Sequence, residues 1–235
     1  QQKFDLFNKA HKGLNMSFLN KDGITIAIKM VEIIQNNKAW LSEIDGAAGD
    51  GDHGINMSKG FTFAQNKFDP TMNMSKAFQV ISQVLLEEIG GSMGPLYGTW
   101  LHSLGYESAS HEVIDASVLN SMFTVALAEL QKLTSATPGD KTMLDALVPA
   151  TQALNAALAE GQGCVASLIK MKQGAENGFN STRKMYPRMG RASRLGERSL
   201  GHPDAGAGSC MLLLCAFADT AISLINKEAN DATAH

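Results

Sequence analysis

The apolar residues of this chain recur at helical spacing almost everywhere. Ile24, Ile28, Val31 and Ile34 follow one another in steps of four, three and three, which places them on one helix face. No run shows the Val/Ile/Thr-rich alternation of a strand between tight turns. The pattern predicts an all-α fold of roughly eight helices. Besides the first helix, the same spacing predicts helices over residues 77–85, 115–133, 141–160, 165–180 and 206–225.

The composition is that of an ordinary globular chain. Its 235 residues are 44% hydrophobic and 18% charged, and the net charge of -3 gives no general attraction to nucleic acid or to an anionic membrane. The longest uninterrupted apolar stretch, Met211 to Ala218, is shorter than the ~20 residues that span a bilayer. No Pro- or Ser-rich linker, internal repeat or low-complexity segment divides the chain. We expect one domain over residues 1–235, with neither nucleic acid nor membrane as a partner.

Cysteine usage indicates the compartment. Cys164, Cys210 and Cys215 form no C-x-x-C pair and leave an odd thiol, and the last two lie in an apolar run, where cysteine behaves as a small hydrophobe. The first residues lack the basic-then-apolar pattern of a secretion signal. We therefore expect a cytoplasmic protein.

Glycine marks the loops more distinctively than any pattern marks the helices. Many of the 22 glycines fall in four loops. Because ligand-binding residues concentrate on loops, this distribution indicates one site that is assembled from several helix ends. The four loops are AAGDGDHG (47–54), IGGSMGPLYG (89–98), TPGDKTM (137–143) and LGERSLGHPDAGAG (195–208).

The first loop carries the candidate chemistry. Asp45, Asp50 and Asp52 lie within eight residues, and such close like charges repel unless a cation neutralises them. Carboxylate oxygens are hard ligands that suit Mg²⁺, and the surrounding glycines permit the turns that would bring them together. Paired magnesium ions that bridge phosphate oxygens recur in phosphoryl transfer. The loop therefore predicts a magnesium–phosphate site.

Other interpretations of this loop fare differently. Gly49, Gly51 and Gly54 match the dinucleotide fingerprint in form, but no strand precedes them and two intervening residues are aspartates. An EF-hand would need glycine at Ile55 and glutamate at Phe61, so it fails. A solvated turn that caps a helix beginning near Gly54 is the ordinary alternative, and only the other loops weigh against it.

Those loops could each form part of a nucleotide pocket. Asp204 precedes a helix whose first turn consists of small residues, which lets an anion approach the free N–H groups, although close helix packing would explain the same residues. Gly139 and Asp140 are expected to open a helix, and GGSMGPLYG to lead into another; each loop taken alone is more often only a turn. No Walker loop or protein-kinase motif set occurs.

The four loops together resemble the L subunit of dihydroxyacetone kinases and the equivalent domain of the single-chain enzymes. The matching strings are GDGDHG followed by Ile55-Asn56-Met57, GGSMGPLYG, PGDKTMLD and GRASRLGERSLGHPDAGA (190–207). They occur in the family's order and spacing, so the resemblance covers nearly the whole chain.

The resemblance implies a barrel of eight antiparallel helices with a nucleotide, ADP or ATP, and two Mg²⁺ ions at one end. The implied metal ligands are Asp45, Asp50 and Asp52, and Arg191 joins them in charge stabilisation during transfer. The implied nucleotide-binding residues are His53, Gly54, Ile55, Asn56, Ser92, Met93, Thr134, Met143, Arg191, Asp204, Ala205 and Gly206.

In the phosphoenolpyruvate-dependent branch, the resemblance implies that ADP stays bound, is rephosphorylated by a phosphohistidine-carrying M subunit and passes phosphate to dihydroxyacetone on a separate K subunit. The alternatives are the nucleotide-binding domain of an ATP-dependent kinase and a non-catalytic ADP-sensing module. The oligomeric state, monomer or homodimer, stays open. Two residues depart from the family pattern: Ala205 replaces a usual proline, and Arg194 a common tyrosine.

Overall fold

The computed structural model describes residues 16–189, 193 and 199–233, and these are predominantly helical. Two strands of two residues each, β1 (Phe18–Leu19) and β2 (Val113–Ile114), pair antiparallel. The all-α prediction is confirmed. The described residues form nine α-helices: α1 (Ile24–Asn36), α2 (Lys38–Gly46), α3 (His53–Gln65), α4 (Met74–Glu88), α5 (Met93–Ser108), α6 (Ala116–Gln131), α7 (Leu144–Ala159), α8 (Cys164–Ser181) and α9 (Ala205–Thr233).

The helices form a closed ring. Each helix from α3 to α9 packs against the next one along the chain. Helix α9 packs back against α1, and α1 contacts α3, which completes the circle. The apolar faces meet inside this ring in one continuous core. Within it, Phe123 and Phe217 make an edge-to-face contact with ring centroids 5.0 Å apart.

Asn37 accounts for one helix beyond the eight expected. It ends α1 and immediately precedes α2, and its backbone leaves the helical region with φ of -105°. Its side-chain Nδ2 donates to the Ile33 carbonyl at 2.8 Å, which satisfies a group that the end of α1 would otherwise leave open. The chain therefore breaks into two helices where the apolar pattern predicts only α1.

The core face of α1 is rotated from the predicted one. Val31 and Ile34 are buried as expected, whereas Ile24 and Ile28 are only half-buried. Met30 and Ile26 take the central positions instead. A step pattern of four and three fits two neighbouring faces of a helix, and packing against α3 and α9 selects between them.

Helix α9 is apolar because it is a core element. It contains an 18-residue window of mean hydropathy 1.8, so by length and composition it could cross a membrane. More than half of that window, 56%, is buried inside the protein. A mostly buried core helix passes the same test of length and composition, so the window is weak evidence of a membrane span.

The two ends of the ring differ. At one end Asn20, just after β1, donates to Ser75 Oγ at 2.8 Å and to the Ser108 carbonyl at 3.0 Å, which ties the start of α4 to the end of α5. At the other end the starts of four alternate helices, α3, α5, α7 and α9, line one cavity. Alternate helices of an up-and-down ring begin at the same end, and this alternation positions the site.

Candidate functional site

The cavity at this end has a volume of about 630 Å³, within the range of nucleotide-sized pockets. The first residues of the four alternate helices lie in its wall: His53 of α3, Met93 of α5, Leu144 of α7 and Ala205 of α9. Each of these helix starts directs its free N–H groups and the positive end of its dipole toward the end of the ring. The cavity is therefore suited to an anionic ligand.

Three carboxylates converge at one side of this cavity. Asp45 lies in the last turn of α2, Asp50 in the following turn, and Asp52 immediately before α3. One oxygen of each lies within 4.8 Å of the others. Gly51, with φ of +77°, provides a backbone conformation that other residues rarely adopt. The donor set fits a hard divalent cation, as the sequence predicts.

The helix-cap interpretation of these aspartates does not describe Asp52. Asp52 stands at the capping position of α3, but its side chain forms no capping hydrogen bond with the helix. Instead, Asp45 Oδ2 accepts a hydrogen bond from the main-chain N–H of His53 at 3.2 Å. The start of α3 is thus held by a carboxylate from α2, which draws Asp45 toward Asp52.

Gly54 makes the close approach of α2 and α3 possible. A Cβ atom at this position would lie 2.1 Å from the Lys38 carbonyl oxygen and 2.6 Å from Ser42 Oγ. Ile55 is 51% exposed. Neither Gly54 nor Ile55 lies in the cavity wall, so the structure gives Gly54 a packing role and does not bring Ile55 to the site.

His53 connects the acidic side of the cavity to α9 and α5. Its Nε2 lies 2.8 Å from Ser209 Oγ, which lies 2.6 Å from the hydroxyl of Tyr97. Ser209 and Tyr97 are buried, with 0% and 2% exposure. Burial lowers the pKa of His53 to about 4, and the nearby Asp45 carboxylate offsets only part of this effect. The imidazole is therefore neutral at neutral pH.

The turn before α7 forms the opposite side. Asp145 is buried and accepts from the main-chain N–H groups of Gly139 and Thr142 at 2.6 and 2.7 Å. Lys141, 3% exposed, has φ of +62° and is the one non-glycine residue with positive φ among those described. These bonds and the left-handed conformation delay the start of α7 to Leu144, so the prediction that Gly139 and Asp140 open the helix is wrong by about one turn.

Lys141 also fastens the chain that leads to α9. Its Nζ donates to the Ser199 carbonyl at 2.7 Å and to the Met185 carbonyl at 3.3 Å. Burial lowers the pKa of Lys141, and the Asp204 carboxylate works in the opposite direction. The ammonium group thus joins two segments of the chain, before and after residues 190–198, to the wall of the cavity.

Asp204 caps α9 and faces the same cavity. Its Oδ2 accepts from the Ala207 N–H at 2.7 Å, and its own N–H donates to Thr182 Oγ1 at 2.9 Å. Burial raises the pKa of Asp204 to about 7, and the carboxylates of Asp145 and Asp45 act in the same direction. The cavity therefore holds acidic groups on both sides.

The structure brings most of the predicted site residues together. Arg191 and Arg194 lie outside the described residues. Sequence reasoning missed Tyr97 and Lys141, although both stand in the glycine-rich strings that it singled out, and it missed Met189 and Leu130. The predicted residues that line the cavity are Asp45, Asp50, Asp52, His53, Asn56, Ser92, Met93, Thr134, Met143, Asp204, Ala205 and Gly206.

The fold and the site define the class of protein: an all-α ring of helices with an acidic cavity at one end, lined by the starts of helices. Comparisons with known proteins identify the family. Residues 47–219 match the DAK2 domain. The ADP-binding subunit of PEP-dependent dihydroxyacetone kinase 1 from Listeria innocua is 35% identical over 195 residues, covering 82% of this chain and 92% of that protein. This chain belongs to the DAK2 domain family, and the resemblance to dihydroxyacetone kinase L subunits is confirmed.

Longer proteins contain a similar region. The L-erythrulose kinase of Pectobacterium atrosepticum is 30% identical over 208 residues, covering 87% of this chain and 35% of that protein. The crystal structure of the dihydroxyacetone kinase from C. freundii in complex with AMP-PNP and Mg²⁺ aligns with a TM-score of 0.60 at 23% identity. The alignment covers 83% of this chain and 33% of that one, and it confirms the fold.

Proposed function

We propose that this chain is the nucleotide-holding subunit of a dihydroxyacetone kinase. It binds ADP or ATP together with Mg²⁺ and donates a phosphoryl group to dihydroxyacetone held by a separate K subunit. One observation carries the proposal: three converging carboxylates face the starts of four helices across a single cavity. A cation and a polyphosphate fit both features at once, because converging carboxylates attract positive charge and helix starts attract negative charge.

We assign separate roles in cation binding and phosphate binding to these residues. Asp45, Asp50 and Asp52 hold the cations, two in number, which when bound neutralise charge on the phosphate oxygens. The N–H groups at the starts of α5 and α9, near Ser92, Met93 and Ala205, bind phosphate oxygens. Arg191 adds positive charge.

The remaining predicted residues complete the nucleotide pocket. Asn56, Thr134, Met143 and Gly206 contact the nucleotide from the walls where they lie. We assign the base for the acceptor hydroxyl to the K subunit, which holds the acceptor.

The phosphoryl donor is a phosphohistidine-carrying M subunit, with ADP remaining bound between turnovers in the cytoplasm. The relative from Listeria innocua, a PEP-dependent enzyme whose whole length this chain nearly spans, supports this choice. The match to an L-erythrulose kinase favours a second candidate, in which the acceptor is a longer ketose or the chain serves an ATP-dependent enzyme.

Calorimetry and a four-way turnover assay test the proposal. ADP binding to the purified chain should require Mg²⁺. The chain with ATP, Mg²⁺ and dihydroxyacetone should make essentially no dihydroxyacetone phosphate, because transfer requires the acceptor to be held at roughly 3–3.5 Å from the phosphate. Adding a K subunit should restore turnover, which should run on catalytic ADP when the M subunit and phosphoenolpyruvate are present.

Three outcomes of this assay would contradict parts of the proposal. Steady turnover by the chain alone would exclude the subunit assignment. Turnover that consumes ATP stoichiometrically, even with the M subunit present, would favour the ATP-dependent branch. Faster turnover with erythrulose than with dihydroxyacetone would change the acceptor.

A further inference from the structure

A hydrogen-bond network in the wall of the cavity joins two of the glycine-rich loops to the first turns of α9. His53 comes from GDGDHG, Tyr97 from GGSMGPLYG, and Ser209 from the small-residue start of α9. His53 and Ser209 are 156 residues apart in the sequence, and Tyr97 and Ser209 are 112 apart. Only the closed ring of helices brings these polar groups into contact, and nearly all buried polar groups in proteins are paired.

Four oxygen and nitrogen contacts define the network. The Tyr97 hydroxyl lies 2.9 Å from the Gly206 carbonyl oxygen and 2.6 Å from Ser209 Oγ. Ser209 Oγ lies 3.2 Å from the same carbonyl and 2.8 Å from His53 Nε2. The two hydroxyl groups contribute one proton each, whereas a carbonyl oxygen only accepts.

Counting these protons assigns the hydrogen on His53. If Ser209 donates to Tyr97, or to the Gly206 carbonyl, it has no proton left for the imidazole, and Nε2 must donate. Nε2 could accept only if Ser209 donated to it. If Tyr97 then donated to Gly206, the Tyr97 and Ser209 oxygens would lie 2.6 Å apart with no proton between them, which is repulsive. The remaining possibility is that Tyr97 donates to Ser209. That arrangement leaves the Tyr97 and Gly206 oxygens 2.9 Å apart with no proton between them, which is repulsive.

We propose that Ser209 and Tyr97 are positioning residues that fix the His53 imidazole with its proton on Nε2, so that Nδ1 is the ring nitrogen available to the ligand of the cavity. Ser209 accepts from Nε2–H and passes a hydrogen bond on to Tyr97 or Gly206. The assignment holds for the neutral and the charged ring alike, since Nε2 is protonated in both.

The inference deepens the proposed function and rests on it for the identity of the ligand. In the neutral ring, Nδ1 carries a lone pair and accepts hydrogen bonds. Nδ1 then accepts from a hydroxyl or a water molecule of the nucleotide complex while it is unprotonated, and donates to a phosphate oxygen when it is protonated.

Nitrogen NMR of the unmodified protein gives the first test. In ¹⁵N-labelled protein, the His53 Nε2 should show a protonated nitrogen with a slowly exchanging hydrogen, because it is buried and bonded to Ser209. An unprotonated Nε2 would overturn the inference. Since free imidazole already favours a proton on Nε2, the slow exchange of that hydrogen is the decisive readout, and rapid exchange would equally count against the inference.

Two conservative variants give the second test. Ser209→Ala should expose the Nε2 hydrogen to faster exchange and weaken Mg²⁺-dependent ADP binding about tenfold, the low end for losing a partner that orients a ligand-binding histidine. Tyr97→Phe should weaken it less, about threefold, because Ser209 keeps Gly206 as a partner. Ser167→Ala is the matched control: Ser167 is equally buried and donates within its own helix.

The outcomes are separable. Unchanged exchange and affinity in both Ser209→Ala and Tyr97→Phe would show that the network positions nothing. Equal losses in Ser167→Ala would reduce the effect to general destabilisation and overturn the inference. If Ser209→Ala does not fold, the unmodified protein and Tyr97→Phe decide. Failure of the unmodified protein to bind ADP would overturn the proposed function alone, because the exchange measurement needs no nucleotide.

Discussion

The two sides of the cavity use the same side chain for opposite purposes. On the acidic side, Asp45, Asp50 and Asp52 converge within 4.8 Å. On the capped side, defined by Asp140, Asp145 and Asp204, each carboxylate accepts main-chain N–H groups of its own turn. Both sides are glycine-rich turns that lead into helices, so glycine content alone does not separate them.

The two sides differ in the groups that donate hydrogen bonds to their carboxylates. Asp145 has both oxygens occupied, by Gly139 and Thr142, at 2.6 and 2.7 Å. Asp52 precedes a helix as Asp204 does, yet it makes no capping bond, whereas Asp204 accepts from Ala207. A carboxylate that satisfies its own turn stabilises the fold, and one that is directed toward other carboxylates creates a demand for a cation.

Asp52→Asn, on the acidic side, should have the largest effect of the substitutions, and the effect should be on ligand binding. Losing one of three negative ligands should weaken Mg²⁺-dependent ADP binding about 100-fold, at the upper end of effects known for metal-site partners. The free energy of unfolding without metal should stay level or rise, because like-charge repulsion is relieved. Calorimetry and urea unfolding measure the two quantities.

The matched control for this substitution is Asp69→Asn, in an exposed turn away from the cavity, where Asp69 accepts from the Thr71 N–H. It should leave ADP affinity unchanged. Normal ADP affinity in Asp52→Asn would show that the metal assignment is wrong.

Asp145→Asn, on the capped side, should lower the stability of the fold and leave metal binding unchanged. One of two short main-chain bonds to a buried carboxylate is lost, which should lower the free energy of unfolding by about 2 kcal/mol. Binding of Mg²⁺ alone should be unaffected, since Asp145 is not among the converging ligands. A loss of Mg²⁺ affinity without a loss of stability would reverse the roles that we assign to the two sides.

The helices were predictable from sequence because their signal is local. The apolar spacing over 77–85 lies within α4, that over 165–180 matches α8 closely, and small residues after Asp204 mark the start of α9. The break at Asn37 and the delayed start of α7 were not predicted. Both depend on particular hydrogen bonds, from Asn37 to Ile33 and from Gly139 and Thr142 to Asp145, which leave the apolar pattern unchanged.

The site was predictable only in part for a related reason. Three aspartates within eight residues can be recognised in the sequence, and the resemblance supplied the other loops. The contact of His53 with Ser209, and of Lys141 with Ser199, depends on how distant helices pack. Tyr97 and Lys141 stand inside recognised strings, but nothing in the strings tells which side chains turn toward the cavity.

Asp204 belongs to the capped side, and the pH dependence of its charge gives a further test of the comparison. Its folded pKa of about 7 lies above its ordinary value of 3.8, so the folded state binds more protons between these values. Stability should therefore fall as pH rises through this window and level off above pH 7. Asp204→Asn should flatten that dependence. Between pH 5 and 8, the free energy of unfolding of the unmodified protein should fall by about 1 kcal/mol more than that of the variant. One pKa unit is worth ~1.4 kcal/mol, and solvent screening of the half-buried Asp204 side chain reduces the effect.

Urea midpoints at the two pH values, without Mg²⁺ or nucleotide, measure this difference for both proteins. Asn keeps an oxygen that can accept from the Ala207 N–H, so the helix cap survives in the variant. Equal pH dependence in the two proteins would contradict a raised pKa for Asp204.

The smallest effect should come from the ion pair on the capped side. Arg188 lies 3.7 Å from Asp140, and its side chain is 76% exposed, so the pair is screened by solvent. The Arg188 main-chain N–H donates to the Asp140 carbonyl at 3.1 Å, a bond that alanine at this position keeps. Arg188→Ala should leave the urea midpoint unchanged within error, at low and at high salt. Asp140→Ala should lower it, because the Thr137 N–H and hydroxyl lose their acceptor. A salt-dependent loss in Arg188→Ala would mean that charge pairing, rather than main-chain hydrogen bonding, holds this side of the cavity together.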